Sequence, residues 1–238
     1  MTEERKKELR DNYLRVAERI DKAVSKRGGD RPVRLLAASK TYPAEDIMYL
    51  IENCGLELCG ENHAQEFVEK YDAVSNLNCR MDFIGHLQTN KVKYIAGKAG
   101  LIHSLDSVKL ASEIQKYCEK HDLFQNVLVE INIGDEETKT GISKEYLPEF
   151  LDELAAFDRL RVAGMMSMAP KSDKIDEIRK YFRESYSIFL DNFTKKRHNT
   201  IEPVLSMGMS DSFEIAIEEG ADIVRVGSLI FGNRNYNK

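Results

Sequence analysis

A lysine stands directly after an apolar run near the N-terminus, in VRLLAASKTY, where Lys40 follows residues 33–39. If that run is a buried strand, the Lys40 amine lies at its end, partly removed from water. Burial lowers the pKa of a lysine and favours the neutral amine, which attacks carbonyl groups to form Schiff bases. The alternative is a lysine that lays its alkyl stem along the protein and keeps its ammonium group in water.

An arginine interrupts a second apolar run, Ile223-Val224-Arg225-Val226, which has the composition of a strand buried on both faces. A buried guanidinium stays charged and needs hydrogen-bond acceptors. Those acceptors belong either to a neighbouring carboxylate, in a structural ion pair, or to a ligand. The sequence leaves both interpretations of Arg225 open.

Two segments rich in small residues stand at the ends of the last two apolar runs. SMGMSDSFEIAI places Asp211 and Glu214 at the spacing of an N-terminal capping box, and RVGSLIFG contains Gly227-Ser228. Free backbone N–H groups at such helix starts suit a dianionic phosphate without any lysine. Together the two segments predict a phosphate site.

The elements that must position these residues are eight apolar runs that alternate with helical patterns. The runs are residues 33–39, 56–60, 81–85, 101–105, 126–133, 160–168, 202–208 and 221–227. The alternation predicts one domain, 1–238, folded as an α/β protein with a single (β/α)8 TIM barrel. The G-x-G-x-x-G fingerprint of an open doubly wound sheet does not follow the first run. An amphipathic helix over Thr2–Lys26 precedes the barrel and is expected to pack outside it.

In a barrel of this kind, active sites lie at the carboxyl ends of the strands, and phosphate often binds after strands seven and eight. That rim receives Lys40, Arg225 and both small-residue segments. A strand-end amine, a buried arginine and a phosphate site fit pyridoxal 5′-phosphate (PLP), held as a Schiff base on Lys40 with Arg225 facing the pyridine nitrogen.

Composition narrows the class of partner. The net charge is −5, with 42% hydrophobic and 32% charged residues, which argues against nucleic acid and anionic membranes as partners. No apolar run reaches the roughly 18 residues of a membrane helix, and the N-terminus lacks a signal-peptide pattern, so a cytoplasmic location is expected. The four cysteines lack zinc-site spacing and no metal is expected. His63, His103, His121 and His198 are expected to be surface or structural residues.

Several segments together resemble a known family. They are LLAASKTYPAEDI, LCGENHAQEFVEK, DFIGHLQTNKVK, SLDS, VEINIGDEETKTGIS, GMMSM and LSMGMSDSFEIAIEEGADIVRVGSLIFG, in order over nearly all of 33–232. The chain thereby resembles the pyridoxal phosphate homeostasis protein family, which shares its barrel with the N-terminal domain of alanine racemase. The resemblance implies covalent PLP on Lys40 and Arg225 at the pyridine nitrogen. It also implies that the phosphate group contacts Ser206, Ser210, Gly227 and Ser228. The positions implied to lie near the cofactor are Asn62, His86 and Met168.

Two residues depart from the family pattern. Ser228 stands where threonine is more common; it keeps the hydroxyl group, so phosphate binding should survive. Asp82 stands where a histidine is common before FIGHLQ, which changes the surroundings of that strand.

The resemblance leaves two functions, intracellular PLP homeostasis without significant amino-acid turnover, or a PLP-dependent racemase or related enzyme. Racemisation needs bases on both faces of the cofactor. Alanine racemase takes the second from a C-terminal β-domain, and we expect none in a chain ending at Lys238. Met168 stands near the place of the racemase histidine behind the ring. Arg225 makes the pyridine a weaker electron sink than an aspartate would. We therefore expect a monomeric carrier, not an enzyme, with apo PLP-enzymes as candidate recipients.

A third interpretation is a barrel enzyme that acts on a phosphorylated sugar or aldehyde through an aldolase-type Schiff base on Lys40. The colour of the purified protein separates it from the PLP interpretation, because bound PLP is yellow.

Overall fold

The structure, a computed structural model, describes residues 1–29, 31–136, 139–193, 197 and 199–232. The predicted (β/α)8 barrel is confirmed. Eight parallel strands follow one another in chain order, and the last pairs with the first to close the barrel. The strands are β1 (Arg34–Ala38), β2 (Leu58–Glu61), β3 (Arg80–Phe83), β4 (Ile102–Leu105), β5 (Gln125–Ile131), β6 (Leu160–Ser167), β7 (Thr200–Met209) and β8 (Ile223–Val226).

Helices occupy the connections between the strands, as the helical patterns predict. The helices are α1 (Glu3–Arg27), α2 (Ala44–Cys54), α3 (Ala64–Ser75), α4 (Val92–Ile95) after a 3₁₀ turn (Thr89–Lys91), α5 (Val108–His121), α6 (Leu147–Leu154), α7 (Ile175–Phe193), α8 (Phe213–Glu218) and α9 (Ser228–Phe231). None of these helices combines the length and apolar character that crossing a bilayer needs.

The barrel interior and the layer between strands and helices form two separate apolar clusters. The interior cluster is small and contains Leu36, Leu58, Leu101, Leu128, Ala163, Met166 and Ile223. Because side chains alternate along a strand, the residues two positions before and after these also face the barrel axis. The polar side chains described below occupy many of those positions.

Helix α1 begins and ends where the sequence predicts. The Thr2 hydroxyl accepts a hydrogen bond from the Arg5 N–H at 3.2 Å, and Gly28 closes the helix with a φ of 78°. The buried side of α1, which includes Leu9 and Val16, packs outside the barrel against α2, α8 and α9. The predicted external position of this helix is therefore confirmed.

Candidate functional site

Lys40 lies just beyond the carboxyl end of β1, on the inner side of the barrel. Leu36 and Ala38 pack in the interior cluster, and Lys40 continues that alternation by two residues. Its side chain is half-buried. Ala38 pairs in register with Gly60 of β2, which sets Asn62 beside Lys40 at the ends of the two strands.

The backbone on both sides of Lys40 is held by charged side chains of α3. The Thr41 N–H donates to Glu66 Oε2 at 2.6 Å, and Lys70 Nζ donates to the Ser39 carbonyl at 3.0 Å. Thr41 has a φ of 72°, which is unusual for a β-branched residue and costs on the order of 1–3 kcal/mol. These two hydrogen bonds hold that conformation and so direct where Lys40 leaves the strand.

Lys70 also joins two carboxylates into the same buried cluster. Its ammonium group lies 2.7 Å from Glu61 Oε1 and 3.1 Å from Glu66 Oε2, and Glu61 Oε1 accepts a further bond from Ser39 Oγ at 2.7 Å. Burial raises the pKa of Glu61 in spite of Lys70. Burial also acts to raise the pKa of Glu66, but the bonds from Thr41 and Lys70 bring it below its ordinary value.

Arg225 projects from β8 into the barrel and is 5% exposed. Its guanidinium donates to Ser206 Oγ at 2.7 Å and to the Ser167 carbonyl at 3.1 Å, both neutral acceptors. No carboxylate within the described residues forms an ion pair with it. Burial lowers the pKa of Arg225 to about 10, and the negative charge of Glu130 acts against that shift. The structural ion pair considered from the sequence is thus not found in the described part of the chain.

A chain of hydrogen bonds crosses the barrel interior from Arg80 to Arg225. Arg80 Nη2 donates to Asp82 Oδ2 at 2.8 Å, and His103 Nε2 lies 3.1 Å from the same oxygen. His103 Nδ1 lies 3.1 Å from Ser206 Oγ, which accepts from Arg225. Burial lowers the pKa of His103, and its contact with Asp82 only partly offsets the shift. A neutral His103 that donates to Asp82 and accepts from Ser206 satisfies every link.

Ser210 after β7 and Gly227 after β8 meet where the sequence predicts a phosphate site, and with Ser228 they are called the phosphate turn below. The Gly227 N–H lies 3.3 Å from Ser210 Oγ, and Ser228, which follows, is exposed at the start of α9. A Cβ on residue 227 would lie 2.9 Å from the Ala38 carbonyl oxygen. Glycine therefore allows this turn to approach the strand that carries Lys40.

Ser206 lies deeper than the sequence suggests. Strand β7 extends to Met209, so Ser206 stays inside the barrel, fully buried and bonded to Arg225 and His103. The structure separates it from the turn that contains Ser210. Its hydroxyl orients Arg225 in this arrangement.

The predicted capping box after β7 is wrong. Helix α8 begins at Phe213, after Ser212, and no side chain caps its first turn. Glu214 instead forms an ion pair with Arg19 of α1 at 2.7 Å. A residue that looks like a local cap in the sequence is used to attach α1 to the barrel.

The other predicted site residues line two cavities at the same end of the barrel. A cavity of about 340 Å³ is bordered by Met168, Gly208 and Arg225. A second, of about 440 Å³, is bordered by Asn62 and His86. Asn62 Oδ1 is buried without a hydrogen-bond partner among the described residues, and His86 Nδ1 lies 3.4 Å from Asp106 Oδ2.

Sequence reasoning missed the residues that support the site. His103 is fully buried and bonded on both ring nitrogens, and Asp82 is its partner. His198 lies outside the described residues. The inward alternation of β3 and β4 was the available signal for the Asp82–His103 pair. The four-residue spacing of Glu66 and Lys70 on α3 was the signal for the cluster that holds Lys40.

A strand-end amine, a buried guanidinium and a rim with hydroxyl and backbone N–H groups suit a ligand that carries both a carbonyl and an oxyanion. The comparisons with known proteins agree with that chemistry. The family model described as the alanine racemase N-terminal domain matches residues 7–235. The pyridoxal phosphate homeostasis protein of Aquifex aeolicus is 48% identical over 227 residues, covering 95% of this chain and 98% of the relative.

This chain belongs to the pyridoxal phosphate homeostasis protein family. The Escherichia coli K12 member is 35% identical over 238 residues, with 97% of this chain and 99% of that relative covered. Among solved structures, PipY of Synechococcus elongatus PCC7942, described with PLP bound, superposes with a TM-score of 0.78 and 26% identity. The alignment covers 91% of this chain and 100% of PipY. The two homeostasis proteins therefore share the length of this chain, and PipY shares its barrel.

Proposed function

We propose that this protein binds PLP as a Schiff base on Lys40 and serves PLP homeostasis without significant amino-acid turnover. The names of its relatives and the PLP-bound description of PipY support the cofactor and the role. The attachment to Lys40 and the absence of turnover rest on the chemistry of the site.

The observation that carries the proposal is Arg225. Within the described residues the buried Arg225 guanidinium is bonded only to neutral oxygens, and beside a cavity of about 340 Å³ it has donor capacity for a ligand. Cavities of roughly 300–1,000 Å³ are typical of small-molecule sites. The pyridine nitrogen of PLP is a neutral acceptor that suits such a donor.

Three parts of the site match three parts of PLP. Lys40 meets the aldehyde, Arg225 the pyridine nitrogen, and the turn of Ser210, Gly227 and Ser228 the phosphate. In α9 the N–H groups of Ile230 and Phe231 already donate to the Gly227 carbonyl, so within the described residues those of Ser228 and Leu229 remain as donors beside the Ser210 hydroxyl. Asn62 lies beside Lys40, and because its Oδ1 is buried without a partner among the described residues, its amide group is available to a ligand.

Lys40 would hold PLP through its amine, which would form a C=N bond with the aldehyde carbon while the aldehyde oxygen would leave as one water molecule. The hydrogen bonds to Ser39 and Thr41 hold the strand end in place while Lys40 reacts. Lys70 is a poor alternative nucleophile, because its ammonium group is bonded to two carboxylates.

The same residues disfavour amino-acid chemistry. Bound PLP stabilises carbanions best when its pyridine nitrogen is protonated, and Arg225 is a donor that favours the unprotonated nitrogen. Ser206 and His103 keep Arg225 oriented, so this preference is built into the barrel. Met168, half-buried at the cavity wall, offers no proton-transfer group.

Three further properties belong to this proposal. Residues 1–238 act as a single domain, the protein works as a monomer in the cytoplasm, and apo PLP-enzymes are its recipients. One closed barrel and a net charge of −5 are consistent with this assignment.

The attachment is tested by replacing Lys40 with alanine. We expect the purified protein to be yellow with PLP, and the Lys40→Ala variant to lose that absorbance and the borohydride-reduced adduct seen by peptide mass spectrometry. Lys91→Ala is the matched control, since Lys91 is exposed and lines the neighbouring cavity. An adduct that persists in Lys40→Ala refutes the choice of lysine. A wild-type protein that stays colourless with PLP favours the sugar-phosphate alternative.

The absence of turnover is tested with the same preparation. We expect PLP to pass from the protein to an apo PLP-enzyme and restore its activity, while L-alanine is not racemised. Conversion of L- to D-alanine at about 1 s⁻¹ or faster, the ordinary range for enzymes, would overturn the carrier assignment in favour of a racemase.

A further inference from the structure

The opposite mouth of the barrel, at the amino ends of the strands, carries an arginine pair. Arg34 begins β1 and Arg80 begins β3. Each lies two residues before a residue whose side chain faces the barrel axis. Two adjoining cavities of about 510 and 460 Å³ share these arginines on their walls. This mouth is separated from Lys40 by the length of the barrel.

Among the described residues around the 460 Å³ cavity, some charged side chains form ion pairs and others do not. Arg31 is bonded to Asp222, with Nε 2.6 Å from Oδ1, and Asp222 Oδ2 also accepts the Leu205 N–H at 2.7 Å. Glu202, the other carboxylate on this wall, is exposed. The Arg31–Asp222 pair is therefore complete without using Arg34 or Arg80.

Arg34 and Arg80 retain unused donors. Arg80 Nη2 donates to Asp82, and Arg80 Nε is buried with no partner among the described residues. Arg34 is exposed, and its side chain makes no hydrogen bond or ion pair within the described residues. Burial of part of its length and the nearby positive charge of Arg80 lower the pKa of Arg34, although Asp82, Asp222 and Glu202 oppose this.

We propose that this mouth is a second ligand site, in which Arg34 and Arg80 together bind a small oxyanion. A guanidinium presents its N–H donors in a planar fork that matches carboxylate and phosphate oxygens. An anion between the two forks relieves the repulsion between like charges and accepts from guanidinium N–H groups of both arginines. The site uses none of the residues assigned to PLP, so it stands independently of the proposed function.

The arginine side chains report binding directly by NMR of their Nε–H groups. The probes are inorganic phosphate and malonate, each titrated against chloride at equal ionic strength. We expect saturable shifts of the Arg34 and Arg80 signals with at least one probe. The tighter probe identifies phosphoryl or carboxylate chemistry in the natural ligand.

Variants separate this site from general charge effects and from the PLP site. Arg34→Gln should weaken binding at Arg80 about tenfold, the usual loss for a charge-assisted hydrogen bond. Arg161→Gln, which removes another exposed arginine at the start of β6, and Ser210→Ala, in the proposed phosphate turn, should leave it unchanged. The proposal fails if both anions shift these signals no more than chloride does, or if Arg34→Gln binds as tightly as Arg161→Gln.

Discussion

At the scale of single residues, the barrel interior is unusual in being polar along a connected path. Asp82, His103 and Ser206 are each fully buried and link Arg80 to Arg225. A buried polar group without a partner costs about 1–3 kcal/mol, so each member of the path depends on the next. The path orients Arg225 without placing a carboxylate beside it.

His103 gives this path a pH dependence. The pKa of His103 in the folded protein lies below its ordinary value of 6.5. Between these two pKa values the histidine is protonated in the unfolded chain and neutral in the folded protein. Stability is therefore expected to fall as the pH drops from 6.5 to the folded-state pKa, by about 1.4 kcal/mol per pH unit. Urea unfolding at a series of pH values measures this slope.

The control for that slope is a second histidine. His103→Gln should remove the dependence in this window, whereas His121→Gln, at an exposed position on α5, should retain it. Equal slopes in wild type and His103→Gln would contradict the neutral assignment of His103.

Sequence patterns found individual chemistry-bearing residues more readily than their partners. Lys40 stands out because it directly follows an apolar run, and Arg225 because it interrupts one. Asp82, His103 and Ser206 come from three strands, and their contacts depend on how those strands are staggered around the barrel. Alternation along one strand predicts which side a residue faces and leaves the partner across the barrel undetermined.

At the scale of elements, α1 connects the N-terminus to the turn after β8. Asn12 Nδ2 donates to the Ile230 carbonyl at 3.2 Å, and Arg5 Nη2 donates to the Phe231 carbonyl at 2.9 Å. Both carbonyls belong to α9, whose first residue is Ser228. Helix α1 thus supports the proposed phosphate turn from outside the barrel.

A pair of leucines on α1 tests this support. Leu9 is fully buried and Leu14 is 53% exposed on the same helix. Leu9→Ala should lower the free energy of unfolding by about 2–5 kcal/mol because it leaves a cavity, while Leu14→Ala should change it by less than about 0.5 kcal/mol. Chemical denaturation measures both, and similar values for the two variants would show that α1 does not pack as described.

The element boundaries explain where prediction from sequence succeeded and where it stopped. All eight strands were predicted from apolar runs, but β7 continues to Met209 instead of ending at residue 208. The pairing of β7 with β6 and β8 shifts register along its length. Because of those register shifts, Ser206 lies inside the barrel and Ser210 lies at its rim. The types of residue along a strand do not reveal such shifts.

At the scale of the whole molecule, the large apolar residues left exposed in the described part of the chain are scattered over different elements. They include Leu14 on α1, Phe124 before β5 and Ile175 on α7. Stable oligomers need a contiguous apolar patch, so we expect a monomer. Sedimentation velocity should give one species of 27.2 kDa over a hundredfold range of concentration, and a concentration-dependent shift to larger species would contradict this.

From Arg225 to Asp82, the hydrogen bonds across the barrel interior run in a single direction. Arg225 donates to Ser206, Ser206 to His103 and His103 to Asp82, so the imidazole is confined to one tautomer. The other tautomer would set a lone pair against the carboxylate of Asp82 and, with the hydroxyl in its present direction, the O–H of Ser206 against an N–H of the imidazole. Ser206 Oγ accepts from Arg225 in either case, because a hydroxyl oxygen has two lone pairs. Arg225 is therefore the first donor of a polarised chain, and a carboxylate on the far side of the barrel sets the direction in which the hydroxyl and imidazole protons along that chain point.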